Sequence, residues 1–442
     1  MSVFVDRNRE MELIEESFHI LLDENRLLRN PILEFYGVSG IGKTFLLEQI
    51  KERCHATDLP YIWIDLTENK GTFQVDIISQ VKDYLKEDNA QFAESAVRST
   101  KALLEQGPVV MLFDAIDEAS TKQKREIEAM LRDLIDDEKL FVVLASKTMT
   151  ELKNERSVAR KLQPHPLGAL DRDSCEEYLD KLALRQDTPD SQIDSDVRNL
   201  IFTWTRGYPL AMNFMIEAIN TGQDPHTEEG KQQILDTLKE RIIDQEILKE
   251  AEGKWKDKCF TALRLFSVPR RSNTIFMEEL IKNFAPNLQR ESSLAYFSLP
   301  KELHETTHIF SWNLERFGFA VETPVRHLFL LLYSLTQPQE YFAVHNFLAQ
   351  LNQQMANEAT GQDRVRYVRE YLYHLASNPT LVNQSQQIME AVESILKEPP
   401  VILQPFFEEF AQDQELKEAL GPQLAIIEQS IEARATQMKK DI

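Results

Sequence analysis

Two rhythms of apolar and polar residues run along the chain. In the first 150 residues, short apolar runs alternate with longer stretches of helical period. Residues 9–28 place Met11, Ile14, Phe18 and Leu21 on one face and predict an amphipathic helix. The runs Ile32–Tyr36, Tyr61–Leu66, Val109–Asp114 and Phe141–Ala145 are short, apolar or aromatic, and predict buried strands. Helices are predicted between them at 43–54, 75–87, 92–106 and 121–136; in the last, Ile127, Met130, Leu131, Leu134 and Ile135 repeat at helical spacing. Strands alternating with helices predict a parallel sheet covered on both faces. After about residue 170 the strand runs stop. Helices are predicted at 173–184, 194–206, 208–220 and 231–249, then at 256–268 and 274–284 with strand-like pieces near 317–322. Residues 336–442 read as helices broken near Pro379, Pro399-Pro400 and Pro422.

Composition narrows the class. The 442 residues include only 13 glycines, with 42% hydrophobic and 28% charged residues, which is globular and helix-rich rather than low-complexity. Lys and Arg number 50 against 72 Asp and Glu, a formal net charge of −22. Such a surface repels phosphate backbones and anionic bilayers, so nucleic acid and membrane are not the expected partners. Cys54, Cys175 and Cys259 have no metal-type spacing and suit a reducing compartment. The N-terminus has no apolar signal core, and no apolar run reaches the length of a membrane span, so a cytoplasmic protein is expected. Arg270-Arg271 reads as a solvated turn, and the stripe Val365, Val368, Tyr371, Leu372, Leu375 as core packing.

The chemistry begins at Gly37-Val38-Ser39-Gly40-Ile41-Gly42-Lys43-Thr44, which fits G-x-x-x-x-G-K-[ST] between a predicted strand and a predicted helix. Glycine lets the loop turn sharply and bring backbone N–H groups close to phosphate oxygens. The following helix N-terminus adds positive dipole. Lys43 reaches the β- and γ-phosphates and the Thr44 hydroxyl binds Mg²⁺. Gly37, Ser39, Gly40, Ile41, Gly42, Lys43, Thr44 and Phe45 form the expected nucleotide-contacting set. The metal needs a second partner, and Asp114 ends an apolar strand, where a carboxylate can complete the Mg²⁺ shell. Glu118 is assigned to orient or deprotonate the attacking water, with Asp117 available for either role. The expected cofactors are therefore ATP or ADP and Mg²⁺.

These residues resemble the STAND class of signalling ATPases, which includes NACHT and NB-ARC modules. Phe113-Asp114-Ala115-Ile116-Asp117-Glu118 is similar to the NACHT form of the Walker B strand end. Phe4-Val5-Asp6-Arg7-x-x-Glu10 resembles the h-h-G-R-x-x-E motif before the first helix, with Asp6 where glycine is usual. Ser146-Lys147 stands where relatives often carry an arginine that senses the γ-phosphate. Gly207-Tyr208-Pro209-Leu210-Ala211 resembles the G-x-P-L-A motif of the helical lid. The resemblance thus adds Arg7, Lys147, Arg206 and Pro209 to the expected nucleotide contacts. It implies an α/β P-loop NTPase core at 1–170, a helical lid at 171–250, a winged-helix-like domain at 251–335 and a C-terminal helical domain at 336–442. Val321-Glu322-Thr323-Pro324-Val325-Arg326 falls where relatives carry M-H-D-x-V-R.

The function this implies is a slowly hydrolysing ATP switch in signalling or defence. Its effector would be supplied in trans, because only residues 1–31 precede the first strand and 336–442 follow the winged helix; nucleotide-dependent self-association is also implied. Two other readings stand beside it. One is an ORC-like AAA+ ATPase that binds DNA through its winged helix. The other is a zinc hydrolase using His304-Glu305-Thr306-Thr307-His308, which matches H-E-x-x-H, with Glu315 or Glu322 as a further ligand.

Overall fold

The computed structural model describes residues 5, 7–23, 26–67, 73–85, 95–150, 152–185 and 193–440. Phe4 and Asp6 of the N-terminal motif, and residues 86–87 and 92–94 of two predicted helices, lie outside them. The chain forms two compact units, Met1–Ile247 and Leu248–Ile442.

In the first unit the apolar runs become one parallel sheet. β1 (Ile32–Tyr36), β2 (Tyr61–Asp65), β3 (Val109–Asp114), β4 (Leu140–Ser146) and β5 (Leu162–Pro166) lie in the order β2-β3-β4-β1-β5. Of the three strands flanked on both sides by β neighbours, the two richest in apolar residues, β3 and β4, are buried along their whole length. β2 is an edge strand and alternates buried with half-buried positions, as its mixed side chains require. β5 is absent from the sequence reading because Leu-Gln-Pro-His-Pro lacks an apolar run. Pro164 and Pro166 cannot donate to a ladder on both sides, so the segment fits only at the sheet's other edge, in register with Glu34 and Tyr36 of β1.

The covering helices are α1 (Asn8–Leu22), α2 (Lys43–Ala56), α3 (Phe73–Leu85), α4 (Ala96–Gln106), α5 (Thr121–Leu134) and the short α6 (Arg156–Ala159). α1 stops well before the predicted residue 28: Asp23 turns extended, and Leu27, which prolonged the apolar period, is exposed. α5 starts at a capping box in which Ser120 and Gln123 satisfy each other's backbone N–H groups. Apolar residues of α3, α4 and α5 join those of β2, β3 and β4 in one core cluster.

Four helices follow the sheet: α7 (Arg172–Arg185), α8 (Ser195–Thr205), α9 (Pro209–Asn220) and α10 (Glu228–Leu238). The single helix predicted at 231–249 is instead α10 followed by a π-helical run, Lys239–Ile247. Its i→i+5 winding brings Lys239 Nζ within 2.8 Å of Asp244, five residues on.

The second unit opens with α11 (Gly253–Phe266), α12 (Thr274–Phe284) and α13 (Leu299–Thr307). An antiparallel hairpin of β6 (Phe310–Asn313) and β7 (Gly318–Val321) follows, with Ser272 bridged to Phe319. Helices complete it: α14 (Thr323–Thr336), α15 (Pro338–Glu358), α16 (Gly361–Ala376), α17 (Gln384–Leu396), α18 (Pro400–Gln412), α19 (Gln414–Leu420) and α20 (Leu424–Lys440). Val365, Val368, Leu372 and Leu375 are buried, as their spacing predicts. No helix among the described residues is long and apolar enough to cross a membrane.

The solvated turn expected at Arg270-Arg271 is not found. Arg270 is 3% exposed; it pairs with Glu370 of α16 at 2.9 Å and with Asp413 at 2.6 Å. Arg271 stacks on Tyr367. Arg326 of α14 is fully buried, donates to the Ser267 carbonyl at 2.7 Å and the Tyr373 hydroxyl at 3.1 Å, and pairs with Glu415 at 2.5 Å. Arginine serves here because its planar fork satisfies several acceptors at once. These pairs join residues about a hundred positions apart, which no local pattern signals. Arg270→Ala leaves Glu370 buried without its cation and Asp413 with Arg369 alone, so the second unit is expected to lose about 3–5 kcal/mol in denaturant unfolding. Lys301→Ala, at an exposed helix pair, is expected to stay within about 0.5 kcal/mol of wild type.

Candidate nucleotide site

A parallel sheet delivers all its C-terminal strand ends to one edge, and there the expected residues meet. The glycine loop follows β1, Asp114 ends β3, and Lys147 follows β4, which lies between them. Gly42 takes φ +105 at the N-cap of α2, so the loop's N–H groups run into the helix's positive end. Lys43 Nζ donates to the carbonyls of Gly37 at 2.7 Å and Val38 at 3.0 Å. Burial lowers its pKa to about 8, against the opposing pull of the Asp117 and Asp114 carboxylates. Ile41 is fully buried beneath the loop, whereas Thr44 and Phe45 reach the surface.

Asp114 is 6% exposed. Burial pushes its carboxyl up, and Asp65, its register partner on β2, pushes the same way. Hydrogen bonds from the Thr44 hydroxyl and the Ala115 N–H oppose that shift. Two neighbouring carboxylates and a hydroxyl form a hard-oxygen set suited to Mg²⁺, so Thr44 and Asp114 fit the metal expected of them.

The chain then turns through Ala115, at φ +53, into a single 3₁₀ turn, Ile116–Glu118. Asp117 accepts the Lys147 backbone N–H at 2.9 Å and lies 3.4 Å from its Nζ; Glu118 Oε1 meets the same Nζ at 2.5 Å. Lys147 therefore holds both acids side by side. Asp117 is pinned by the backbone of the β4 tip, whereas Glu118 is held by the Lys147 side chain.

Arg7, 6% exposed, donates to the carbonyls of Ile41 at 2.8 Å and Gly168 at 3.0 Å, tying the first helix to the underside of the loop. Arg206 caps α8 in a left-handed conformation, and Pro209 opens α9 as its first residue. Between them, Gly207 at φ +74 accepts from Leu170 N–H at 2.9 Å; a Cβ there would lie 1.9 Å from the Leu170 oxygen.

Several contributors escaped the sequence reading. Tyr208, fully buried, donates its hydroxyl to the Ser39 carbonyl at 2.5 Å. Leu210 packs on Gly40, where a Cβ would meet it at 2.4 Å and where φ is +72. Glu246 of the π-helical run accepts from Ser39 Oγ at 2.8 Å. These partners are separated by up to 207 positions and leave no local signal. Glu34 did leave one, as the only charge in its strand. It is fully buried and accepts from Ser146 Oγ and the Thr150 N–H, both at 2.7 Å, fixing the turn that carries Lys147. Burial raises its carboxyl pKa.

The H-E-x-x-H residues do not assemble comparably. α13 ends at Thr307, and His308 is its left-handed cap, with its ring edge-on to His304 at 5.9 Å between centroids. Glu305 lies 3.6 Å from Lys301, and Glu322 caps α14. Among the described residues, no three His, Cys, Asp or Glu side chains come together as a metal cluster.

Comparison with known proteins bears on the fold that carries these residues. Residues 33–163 match the family described as ATPase family associated with various cellular activities (AAA). No curated protein matches the chain. Among solved structures, the chain is similar to the ORC1 protein of Aeropyrum pernix in complex with DNA, at 14% identity over 76% of this chain and 94% of that one, with a TM-score of 0.41. It is also similar to Cdc6p from Pyrobaculum aerophilum, at 12% identity over 75% and 95%, with a TM-score of 0.39. AMPPCP-bound DnaA from Aquifex aeolicus is 15% identical over 69% and 90%, with a TM-score of 0.38. The first unit thus carries a P-loop ATPase fold of AAA type, and the AAA match lends the STAND resemblance no specific support.

An incoming phosphate favours charged Lys43, so binding draws a proton onto Nζ above pH 8. Affinity for ATP is expected to fall by up to about tenfold per pH unit between about pH 8 and the ordinary lysine value near 10.4. Calorimetry in buffers of different ionisation heat measures the proton uptake. Lys43→Arg, which keeps its charge, is expected to flatten the profile.

Proposed function

We propose that the protein is a Mg²⁺-dependent ATPase of AAA type whose nucleotide state sets the contact between the helical lid and the phosphate loop. The observation that carries this reading is the convergence of Lys43, Thr44 and Asp114 at the C-terminal ends of the parallel strands, where the loop after β1 meets the tip of β3. Loop N–H groups and the start of α2 cradle the phosphates, and Lys43 supplies a mobile positive charge to the terminal ones. Thr44 and Asp114 would hold Mg²⁺, which would neutralise phosphate charge. Glu118 orients water for attack on the terminal phosphorus and accepts its proton, while Lys147 positions Glu118 beside Asp117. Arg7 buttresses the loop from below.

At a finer level, the AAA match supports the ORC-like reading, with DNA as partner, at least as well as a STAND-type switch acting through a protein in trans or by self-association. The helix, bridge and hairpin order in 251–335 accords with a winged helix, the element either reading needs. Arg270 is too deeply paired to meet DNA phosphates, so any DNA contact rests on other residues. Either switch works only through differential affinity; shifting a balance from 1:99 to 99:1 takes about 5.5 kcal/mol.

Nucleotide binding, turnover and particle size of the purified chain test the proposal together. Lys43→Ala is expected to abolish ATP binding. Glu118→Gln is expected to keep binding and slow turnover by about 100-fold or more. Unchanged ATP handling in both variants overturns the site assignment. Fluorescence anisotropy with duplex DNA across a salt series separates the finer readings: affinity that falls steeply with salt supports the ORC-like one, and its absence beside nucleotide-dependent association supports the other.

A further inference from the structure

The crest of the phosphate loop, Ser39-Gly40, is covered by three side chains from the lid. Leu210 fills the space left by the missing Gly40 side chain, Tyr208 holds the Ser39 carbonyl, and Glu246 accepts the Ser39 hydroxyl at 2.8 Å. Two of these are neutral packing and hydrogen-bonding partners. Glu246 is different: it is a carboxylate placed directly against a loop whose chemistry is to receive anions. It also belongs to a nine-residue π-helical run, a rare winding that as short bulges occurs frequently at functional sites.

The end of the nucleotide that lies nearest can be argued from Lys43. Its Nζ, the group that meets the β- and γ-phosphates, rests on the carbonyls of Gly37 and Val38, the two residues immediately before Ser39. Ser39 and Glu246 therefore stand at the terminal-phosphate side of the loop. A third phosphate adds negative charge there and competes for the same hydroxyl, whereas a diphosphate ends short of it.

Building on the proposed ATPase reading, we infer that Glu246 is a specificity-determining residue that favours the nucleoside diphosphate over the triphosphate, and that the terminal phosphate displaces it from Ser39. In the diphosphate state the π-helical run is anchored to the loop through Ser39. In the triphosphate state the anchor is repelled and the run, which leads directly into the second unit along the chain, is released.

Glu246→Gln tests this because it keeps shape and hydrogen-bonding capacity and removes only the charge. Kd values for ADP and for a non-hydrolysable ATP analogue are measured on the full chain, beside Lys43→Ala. The expected result is about tenfold tighter binding of the ATP analogue in Glu246→Gln and less than about threefold change for ADP. In the wild-type chain, amide exchange across 239–247 is expected to rise on adding the ATP analogue but not ADP. Equal changes for both nucleotides, or no change in either readout, overturn the inference while leaving the ATPase reading intact, provided that wild type binds both nucleotides and Lys43→Ala binds neither. If wild type binds neither nucleotide, the ATPase reading falls and the inference falls with it.

Discussion

Everything in the first unit follows from gathering charge at the buried end of a parallel sheet. Asp114 sits almost out of water beside Asp65, an arrangement that is unfavourable in isolation and pushes its proton affinity up. Lys43 is desolvated in the opposite sense, its ammonium made easier to deprotonate. Each is held in place by apolar burial around it: β3 and β4 are buried along their whole length and apolar up to their last residues, Asp114 and Ser146. A site whose carboxylate and ammonium are both made costlier to charge by burial gains the most from a ligand that is at once polyanionic and cation-binding. A metal-bound triphosphate meets both needs, and this electrostatic match is stronger ground for the functional reading than the loop consensus alone.

The same arrangement explains which residues could be read from sequence. Strands buried on both faces cannot disguise themselves, so β1 and β3 stand at the residues their apolar runs predict. The loop was legible because its chemistry is contiguous: three glycines, a lysine and a threonine within eight positions. β5 was not, because an edge strand needs only one ladder and tolerates Pro164 and Pro166. Tyr208, Leu210 and Glu246 were not, since their roles arise only when α9 and the π-helical run fold over a loop some 170 to 207 positions earlier. Arg206 and Pro209 belong to the same segment as two of these contacts, so the resemblance located the right turn while the neighbouring residues, Tyr208 and Leu210, reach the loop.

Arginine plays opposite parts in the two units. Arg7 is a strut under the loop, spending its fork on backbone carbonyls. Arg270 and Arg326 instead sit deep within the second unit, each closing onto carboxylates from distant helices. Reading Arg270-Arg271 as a solvated turn failed because the acids that bury Arg270 come from α16 and from the start of α19. In a chain with a net charge of −22, Arg7, Arg270 and Arg326 are withdrawn into the interior, but Glu34, Asp114, Glu128, Glu370 and Asp413 are buried as well, so the surface keeps its strongly acidic balance. Any partner that carries phosphate must then meet locally clustered cations, which sharpens the choice between a nucleic-acid partner and a protein one.

A lid that touches the loop through packing alone would close equally over any occupant. Leu210 against Gly40 and Tyr208 on Ser39 are contacts of that kind: they measure shape and are indifferent to charge. For nucleotide state to change the protein, at least one contact has to distinguish two phosphates from three, because a ligand with equal affinity for two arrangements shifts neither. Charge is the property in which the nucleotides differ most, and a carboxylate responds to it over several ångströms. Glu246 is the charged member of this set of contacts, and it is carried on a π-helical run. The discrimination that the proposed switch requires is therefore more naturally housed in the Glu246 contact than in the loop, whose glycines and lysine would hold di- and triphosphates by the same means.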